Sequence, residues 1–446
     1  MKILLLNPPR SPHNDILKYA PDEAKPFIHR RLIGPPLGLL TIASSVPEQD
    51  VFLFDMKGEY DLDPGAPPLD ILTRRLMEEH RPQMVGVTVK TSEFNFAIEI
   101  CKVAKAADPS VVTVVGGLHP TLCPADFTDP AVDMIVPGQA VNTFRLLVHT
   151  LEQKGDLRSV PGIWLKPNGK PERTPGIPLP VDPAGADFVF PDRSRLKRWI
   201  STYKVGNSPD PSTYIFTSLG CPYKCTFCSI WGQFRGKYHQ RTVESLIAEL
   251  KQTGEYPVVR FADANTVVDV EFMSRLFDRI REERISKTFV MDIRADVAVT
   301  HPGLIRKMAE GGLKVVICGF ESFRDDELKR YNKKSGASHN LEAIRVFDDN
   351  GIMVRGNYVI PNDYAEADFD ALAEYSAPNP VVYAGYTILS PMPGTVFYRQ
   401  VEDQIIEQDY SRYNFFNSVL RTKLPYERFH ERVGGLWLIK RGRDVI

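Results

Sequence analysis

Three cysteines lie within eight residues of one another in the segment TSLGCPYKCTFCSIW: Cys221, Cys225 and Cys228, in C-x3-C-x2-C spacing. The thiolate is the metal-binding form of cysteine, and three on one tight loop can reach three corners of a cubane [4Fe–4S] cluster. The fourth iron then has no protein ligand and is open to a small molecule that can accept an electron. A closed electron-transfer cluster needs a fourth cysteine, and Cys101, Cys123 and Cys318 are all remote in sequence. Gly220 lets the backbone turn sharply into the loop, and Phe227 shields a cluster from water. Zinc is the competing occupant, with His239 downstream as a fourth ligand. A disulfide framework does not suit a chain of this size with clustered cysteines.

The loop must be positioned by the elements around it. It follows the strand candidate TYIFTS, and VVRFA (258–262), TFVM, KVVIC (314–318), MVRGNYV (353–359) and VYAGYTIL (382–389) repeat that short, β-branched pattern. Helical stripes lie between them, as in Val243, Leu246, Ile247 and Leu250. Six βα units over residues 211–395 predict a partial (β/α)6 parallel barrel, whose chemistry sits at the strands' carboxyl ends. Residues 396–446 are aromatic and less regular, and are expected to form a carboxyl-terminal extension. Upstream, MKILLL, VFLFD (51–55), MVGVTV (84–89), VVTVV (111–115) and DMIV (133–136) predict a doubly wound parallel sheet over residues 1–154. Residues 155–210 are proline-rich, with an Asn168-Gly169 turn, and are expected to be a linker.

Composition narrows the function classes. The 446 residues are 43% hydrophobic and 25% charged, and the net charge of −1 makes no electrostatic case for nucleic acid or an anionic membrane. No apolar run approaches membrane-spanning length, and MKILLLNPP is too short for a signal-peptide core, so a cytoplasmic location is expected.

C-x3-C-x-Phe-C at the end of a first barrel strand resembles the signature of the radical S-adenosylmethionine (SAM) superfamily. The resemblance implies that the three cysteines hold the cluster and that the amino and carboxylate groups of SAM chelate the open iron. Electron transfer into the sulfonium then yields methionine and a 5′-deoxyadenosyl radical. The likeness extends to Arg241-Thr242-x-Glu244 at the first helix and to FADAN, where Asp263 and Asn265 are implied SAM contacts. Arg294 in MDIRAD and Glu321 in CGFES are implied partners of the methionine carboxylate and the ribose, and Phe227 belongs to the same set. LSPMPGT (389–395) resembles the motif beneath the adenine. Taken without the resemblance, Arg294 and Asp296 form a surface ion pair, and Glu321 is a carboxylate favoured at a helix entry. The fifth strand departs from the family pattern, with VIPNDY where a Gly-x-Pro-x-Glu is usual.

LNPP, GPPLGLL (34–40), FDMK (54–57), VVGGLHPT (114–121) and VPGQA (136–140) follow one another as in the cobalamin-binding domains fused to radical enzymes. That resemblance implies a Rossmann-like domain. Lys90, Thr91 and Ser92 are placed to donate to the nucleotide tail or corrin amides. Gly116, Gly117 and Gly138 let the backbone approach a flat ligand, or else serve tight turns only. Asp55 is followed by Met56, Lys57 and Gly58, so no histidine is marked as a lower ligand to cobalt, and His119 beside Pro120 is expected to be a turn residue.

The two resemblances together cover residues 1 to about 400 and imply a cobalamin-dependent radical SAM methyltransferase. In that scheme one SAM methylates cob(I)alamin and a second supplies the radical. The substrate radical, formed at an unactivated carbon, takes methyl from methylcobalamin. A non-methylating oxidoreductase, cyclase or rearrangement enzyme of the same architecture is the alternative; a cluster-containing electron-transfer or scaffold protein is another. An electron donor such as flavodoxin or ferredoxin is implied. Tyr383, Tyr386 and the aromatic 410–416 segment either line a pocket for an apolar small molecule (a lipid, a tetrapyrrole or another natural product) or pack a core. No residue is assigned as catalytic.

Overall fold

The computed structural model describes residues 1–28, 34–166, 169–185, 188–206, 208–378 and 383–439. They form two units, Met1–Pro12 with Pro35–Thr202, and His13–Gly34 with Tyr203–Ile446.

In the first unit the apolar runs become β1 (Lys2–Asn7), β2 (Asp50–Asp55), β3 (Met84–Thr88), β4 (Val112–Gly116) and β5 (Met134–Val136). They pair in parallel in the order β2-β1-β3-β4-β5. Ile3, Leu4, Leu5 and Leu6 are all buried, as a strand covered on both faces requires. Chain direction across the sheet reverses between β1 and β3, so the crevice at their carboxyl ends is the topological switch point.

Residues 155–202, expected as linker, fold into this unit. β6 (Trp164–Leu165) and β7 (Glu172–Arg173) add an antiparallel hairpin to β5; Asn168 of the expected turn lies outside the described residues. The 3-10 helix Arg193–Thr202 buries Leu196 and Trp199. There the Trp199 indole N–H donates to Glu59 at 2.7 Å, and Arg198 forks the same carboxylate at 2.6 and 2.7 Å. Repeated prolines deny the segment long elements, but these anchors still fix it.

In the second unit β8 (Ser212–Ile215) begins the cysteine-bearing region. β9 (Ser218–Gly220) and β10 (Tyr238–Gln240) then form an antiparallel hairpin that the sequence pattern did not predict. β11 (Val258–Phe261), β12 (Thr288–Asp292), β13 (Leu313–Glu321), β14 (Met353–Ile360) and β15 (Tyr383–Ile388) complete a parallel sheet in the order β8-β11-β12-β13-β14-β15. Alternation divides its two faces. Val259, Phe261, Phe289 and Met291 join Leu246, Leu276 and Phe277 in the main core. Val258, Val290, Val315 and Ile317 pack together on the opposite face.

Residues 13–34 belong to this second unit rather than to the amino-terminal sheet. Ile16, Ala20, Ala24 and Ile28 recur every four residues and join Phe429, Val433 and Leu436 in its core. Asp15 accepts from Arg412 at 2.9 Å and from Tyr426 at 2.6 Å. The extension therefore has partners from the start of the chain. Of the aromatics singled out, Tyr386 in β15 is buried and stacks on Tyr358 at 5.6 Å, and Tyr413 packs with Met392 and Val419, whereas Phe415 is exposed. The Tyr383 side chain lies outside the described residues.

Candidate active site

The β9–β10 hairpin presents the cysteine loop. Gly220 ends β9 at φ +89°, where a Cβ would stand 2.0 Å from the Lys237 carbonyl oxygen, so only glycine closes the hairpin there. The loop is tied to the segment after helix Asp325–Arg330. The Thr226 N–H donates to the Tyr331 carbonyl at 3.1 Å, and the Asn332 amide donates to the Lys224 carbonyl at 2.8 Å. Phe227 stands edge-on to Tyr331 at 5.5 Å.

Cys221, Cys225 and Cys228 are half-buried free thiols. Burial pushes the Cys225 thiol up, against the pull of Lys333, and pushes Cys228 up to about 11. Thiols held neutral in this way are donors that a bound metal would convert to thiolates. Among the described residues, the trio of His, Cys, Asp or Glu whose ligand atoms all lie within 4.8 Å is His119, Cys123 and Asp126. The loop cysteines are therefore spread wider than that. Two sulfurs on one zinc, each at about 2.3 Å, stand no more than ~4.6 Å apart. Three free thiols on one tight loop are a donor set that fits the cluster.

Polar side chains from successive strand ends gather near the loop. Arg294, after β12, is buried and forks Asp296 at 2.7 and 3.0 Å, and its guanidinium lies 3.9 Å from the ring centre of Tyr223 within the cysteine loop. It is an ion pair, as the simpler reading held, but a buried one stacked on the loop. Glu321 ends β13 in the left-handed region at φ +63° and accepts from Lys333 Nζ at 2.8 Å, while Lys333 also donates to the Gly319 carbonyl at 2.8 Å. Asn265 is buried with its Oδ1 lacking any hydrogen-bond partner, an acceptor left for a ligand donor.

Asp263 does something else. Its buried carboxylate accepts from the Thr217 and Ser218 N–H groups at 2.9 and 2.7 Å and from both hydroxyls at 3.0 and 2.9 Å. These four bonds leave little for SAM; they hold the backbone that leads into the loop. Asn362 of VIPNDY is likewise committed inward, donating to the Leu389 carbonyl at 2.9 Å and accepting from Ser418.

Sequence reasoning missed Lys333, Tyr223 and the pair Arg260–Asp292. Arg260 in VVRF forks Asp292 at 2.8 and 3.2 Å and lies over the Tyr214 ring at 5.4 Å, on the sheet face opposite the main core. The signal was there, since a charge at an inward position of an apolar strand calls for a partner.

In the first unit, Lys90 is exposed and Ser92 half-buried at the strand ends beside the switch point, whereas Thr91 is buried with its hydroxyl 3.2 Å from His119 Nδ1. His119 sits in helix Leu118–Leu122, not in a turn. Its Nε2 is 3.2 Å from Asp126, so both ring nitrogens are engaged. Gly117, at φ +107°, is required by its neighbours: a Cβ would meet the Val89 nitrogen at 2.9 Å, and at Gly116 it would meet the Val136 carbonyl at 3.2 Å. These two glycines serve strand packing. Gly138, at φ +80°, has nothing nearer than Pro178 at 3.9 Å and leaves room beyond β5. Lys57 stands where a cobalt-ligating histidine would be marked, and it is buried against Glu93 with burial lowering it to about 8. Burial opposes ionisation of Glu93, yet Lys90 and Lys57 hold it below the usual carboxylate range.

Comparison with known families matches residues 215–376 to the radical SAM superfamily and residues 27–148 to the B12 binding domain. The chain is a radical SAM protein with an amino-terminal B12-binding domain. It is 28% identical over 401 residues to an uncharacterized methyltransferase of Pyrococcus horikoshii, covering 87% of this chain and 84% of that one. It is 25% identical over 402 residues to the hopanoid C-3 methylase of Methylococcus capsulatus, covering 89% and 74%. The solved structure of the radical SAM methyltransferase TsrM from Kitasatospora setae, with cobalamin and [4Fe–4S] cluster bound, shares the fold: TM-score 0.70, 15% identity, 90% and 78% coverage. The radical SAM domain implies an iron–sulfur cluster and SAM as cofactors of this chain, and the B12-binding domain implies cobalamin. Among the described residues no helix is long and apolar enough to cross a membrane.

Proposed function

We propose that the chain is a cobalamin-dependent radical C-methyltransferase acting on an apolar small molecule. The observation that carries this reading is one chain holding an open three-cysteine loop at the strand ends of a partial barrel and a switch-point crevice built on a B12-binding sheet. Both named relatives are methyl-transferring, and one acts on a hopanoid, which supports an apolar substrate.

Cys221, Cys225 and Cys228 would hold the cluster. When bound, the cluster supplies the electron that splits the sulfonium, and cobalamin supplies a methyl group to a carbon without a nucleophilic lone pair. Around them the chain's own side chains bind and orient. Arg294, already buried and stacked on Tyr223, is a fixed cation suited to a carboxylate. The third N–H of Lys333 and the second oxygen of Glu321 are available to a ligand's carboxylate and hydroxyls. Asn265 offers its Oδ1 to a donor. Asp263 positions the loop rather than the ligand. In the first unit, Lys90, Ser92 and the space beside Gly138 suit the amide-rich rim of a corrin. Thr91, Gly116 and Gly117 are committed to the fold, and Lys57 is committed to Glu93.

The test is anaerobic reconstitution of the full chain with iron, sulfide and hydroxocobalamin, followed by reduction and addition of SAM. We expect close to four irons and one cobalt per chain, with slow formation of 5′-deoxyadenosine and S-adenosylhomocysteine. Deoxyadenosine without any S-adenosylhomocysteine sinks methyl transfer. A Cys225→Ala protein that still splits SAM sinks the radical reading.

A further inference from the structure

The chain after β4 brings together three side chains of different donor type. His119, Cys123 and Asp126 are spaced i, i+4 and i+7, and the backbone there makes two consecutive helical turns. The Cys123 N–H donates to the His119 carbonyl at 2.8 Å, closing helix Leu118–Leu122. The Asp126 N–H donates to the Cys123 carbonyl at 3.2 Å in the 3-10 turn Pro124–Asp126. Side chains four apart on a helix share a face. The result is a His nitrogen, a Cys sulfur and an Asp oxygen all within 4.8 Å of one another. His119 Nε2 stands 3.2 Å from the Asp126 carboxylate. On a tetrahedral zinc, nitrogen and oxygen ligands stand about 3.3 Å apart, and a sulfur about 3.6 Å from either. The trio therefore closes on one ion with a side-chain shift of about 1 Å.

The surroundings hold these groups in place. His119 is 1% exposed, and Phe94 and Phe127 stand edge-on to its ring at 5.3 and 5.7 Å. The buried Thr91 hydroxyl lies 3.2 Å from Nδ1, so an Nδ1–H donates to it and leaves the Nε2 lone pair for a metal. The helix is pinned as well: the His119 N–H donates to the Val89 carbonyl at 3.0 Å, and the Thr121 hydroxyl accepts from the Gly138 N–H at 2.8 Å. Cys123 and Asp126 are half-buried, which gives an ion a way in. A simple ion pair of His119 with Asp126 would need no sulfur beside it.

We propose that His119, Cys123 and Asp126 bind a zinc ion, with water as the fourth ligand. Nitrogen, sulfur and oxygen donors together suit zinc, whereas magnesium and calcium take oxygen alone. Cys123 binds as the thiolate, its proton passing to solvent. Through Thr91 the ion staples the turn after β4 to the loop after β3, which carries Lys90 and Ser92. The inference is independent of the cysteine loop and of cobalamin.

The test uses the full chain carrying Cys221→Ala/Cys225→Ala/Cys228→Ala, isolated without corrinoid. Of the cysteines left, Cys123 is half-buried and Cys101 and Cys318 are buried. Cobalt(II) titration should give a thiolate-to-metal charge-transfer band that saturates at one metal per chain and is bleached by one equivalent of zinc. Adding Cys123→Ala should abolish the band. Asp126→Asn and Thr91→Ala should each weaken zinc about tenfold or more in competition with a chromophoric chelator. Zinc should raise the melting temperature of this background but not that of its Cys123→Ala derivative. If the background is insoluble, zinc per chain after dialysis is compared between reconstituted wild type and Cys123→Ala, and should fall by one. No retained zinc, a band that survives Cys123→Ala, or zinc affinity unchanged by Asp126→Asn overturns the proposal.

Discussion

Replacing Asp263 by alanine or by asparagine separates two jobs that one carboxylate does. Its Oδ1 accepts three of the four hydrogen bonds, from the Thr217 N–H, the Ser218 N–H and the Ser218 hydroxyl, and Oδ2 takes the Thr217 hydroxyl. Thr217 and Ser218 are both buried, so in Asp263→Ala two backbone N–H groups lose their partner with no water to replace it. Each such loss costs about 1–3 kcal/mol, which puts the variant ~2–6 kcal/mol below wild type locally. That is comparable with the whole stability of an ordinary domain, about 5–15 kcal/mol. The strain falls at the start of β9, immediately before Gly220 and Cys221. We expect iron and sulfide per chain to drop at least fivefold after reconstitution. In Asp263→Asn the Oδ1 stays in place and the Thr217 hydroxyl rotates to accept from the new amide, so cluster content should be retained. Full iron content and an unchanged urea midpoint in Asp263→Ala would refute the positioning role.

The same pair of variants reports a pH dependence. Burial pushes Asp263 up to about 7, against the four donors that favour its charged form. The folded value lies above the unfolded one of about 3.9, so the group's stabilising contribution is fully present below pH ~4 and is lost as pH rises through about 7. One unit is worth about 1.4 kcal/mol, so wild type should lose roughly 2 kcal/mol between pH 5.5 and 7 from this group. Asp263→Asn has nothing to titrate and should lack that slope. Urea midpoints at pH 5.5 and 8 measure it, and identical slopes in the two proteins would remove the assignment.

Other perturbations follow from single contacts. Gly220→Ala combines a positive φ with a Cβ placed 2.0 Å from the Lys237 carbonyl, and should abolish cluster uptake as measured by iron content. Lys333→Met strands Glu321 and should cost about 3 kcal/mol in urea melts and lower deoxyadenosine formation more than tenfold. Glu321→Gln/Lys333→Met should recover the stability but not the turnover. Glu59→Ala leaves the Trp199 indole N–H and Arg198 without their acceptor and should lower stability by roughly 1–3 kcal/mol. Iron per chain should be unchanged, because every one of those contacts lies in the first unit.

Most of the strand framework was legible because parallel strands buried on both faces need continuous β-branched runs, and nothing else in the chain looks like VVTVV or KVVIC. The cysteine spacing was legible because cluster ligation leaves so little freedom in where thiols can sit. What escaped notice shares a cause. The stripe Ile16-Ala20-Ala24-Ile28 is helical in period, but it is broken by Pro21 and Pro26 and uses small residues. The sequence reading counted it with the amino-terminal domain of residues 1–154, and the core made by Phe429 and Val433 is what claims it for the second unit. Residues 155–202 were judged by their prolines, and prolines report what a segment cannot form rather than whether it docks.

At the site, residue type separated role from position poorly. Asp263 and Glu321 both stand at strand ends, yet one carboxylate reaches across to four donors on Thr217 and Ser218 and the other meets a lysine twelve residues on. A strand-end acid is free for a ligand only if no backbone N–H is closer, and sequence carries no measure of that distance. Gly117 and Gly138 divide in the same way: one lacks a Cβ because Val89 is in the way, the other faces open space. Residues bound into the scaffold set where the loop and the crevice stand. Under the proposed function, the Asn265 Oδ1 and the third Lys333 N–H are among the atoms offered to a ligand.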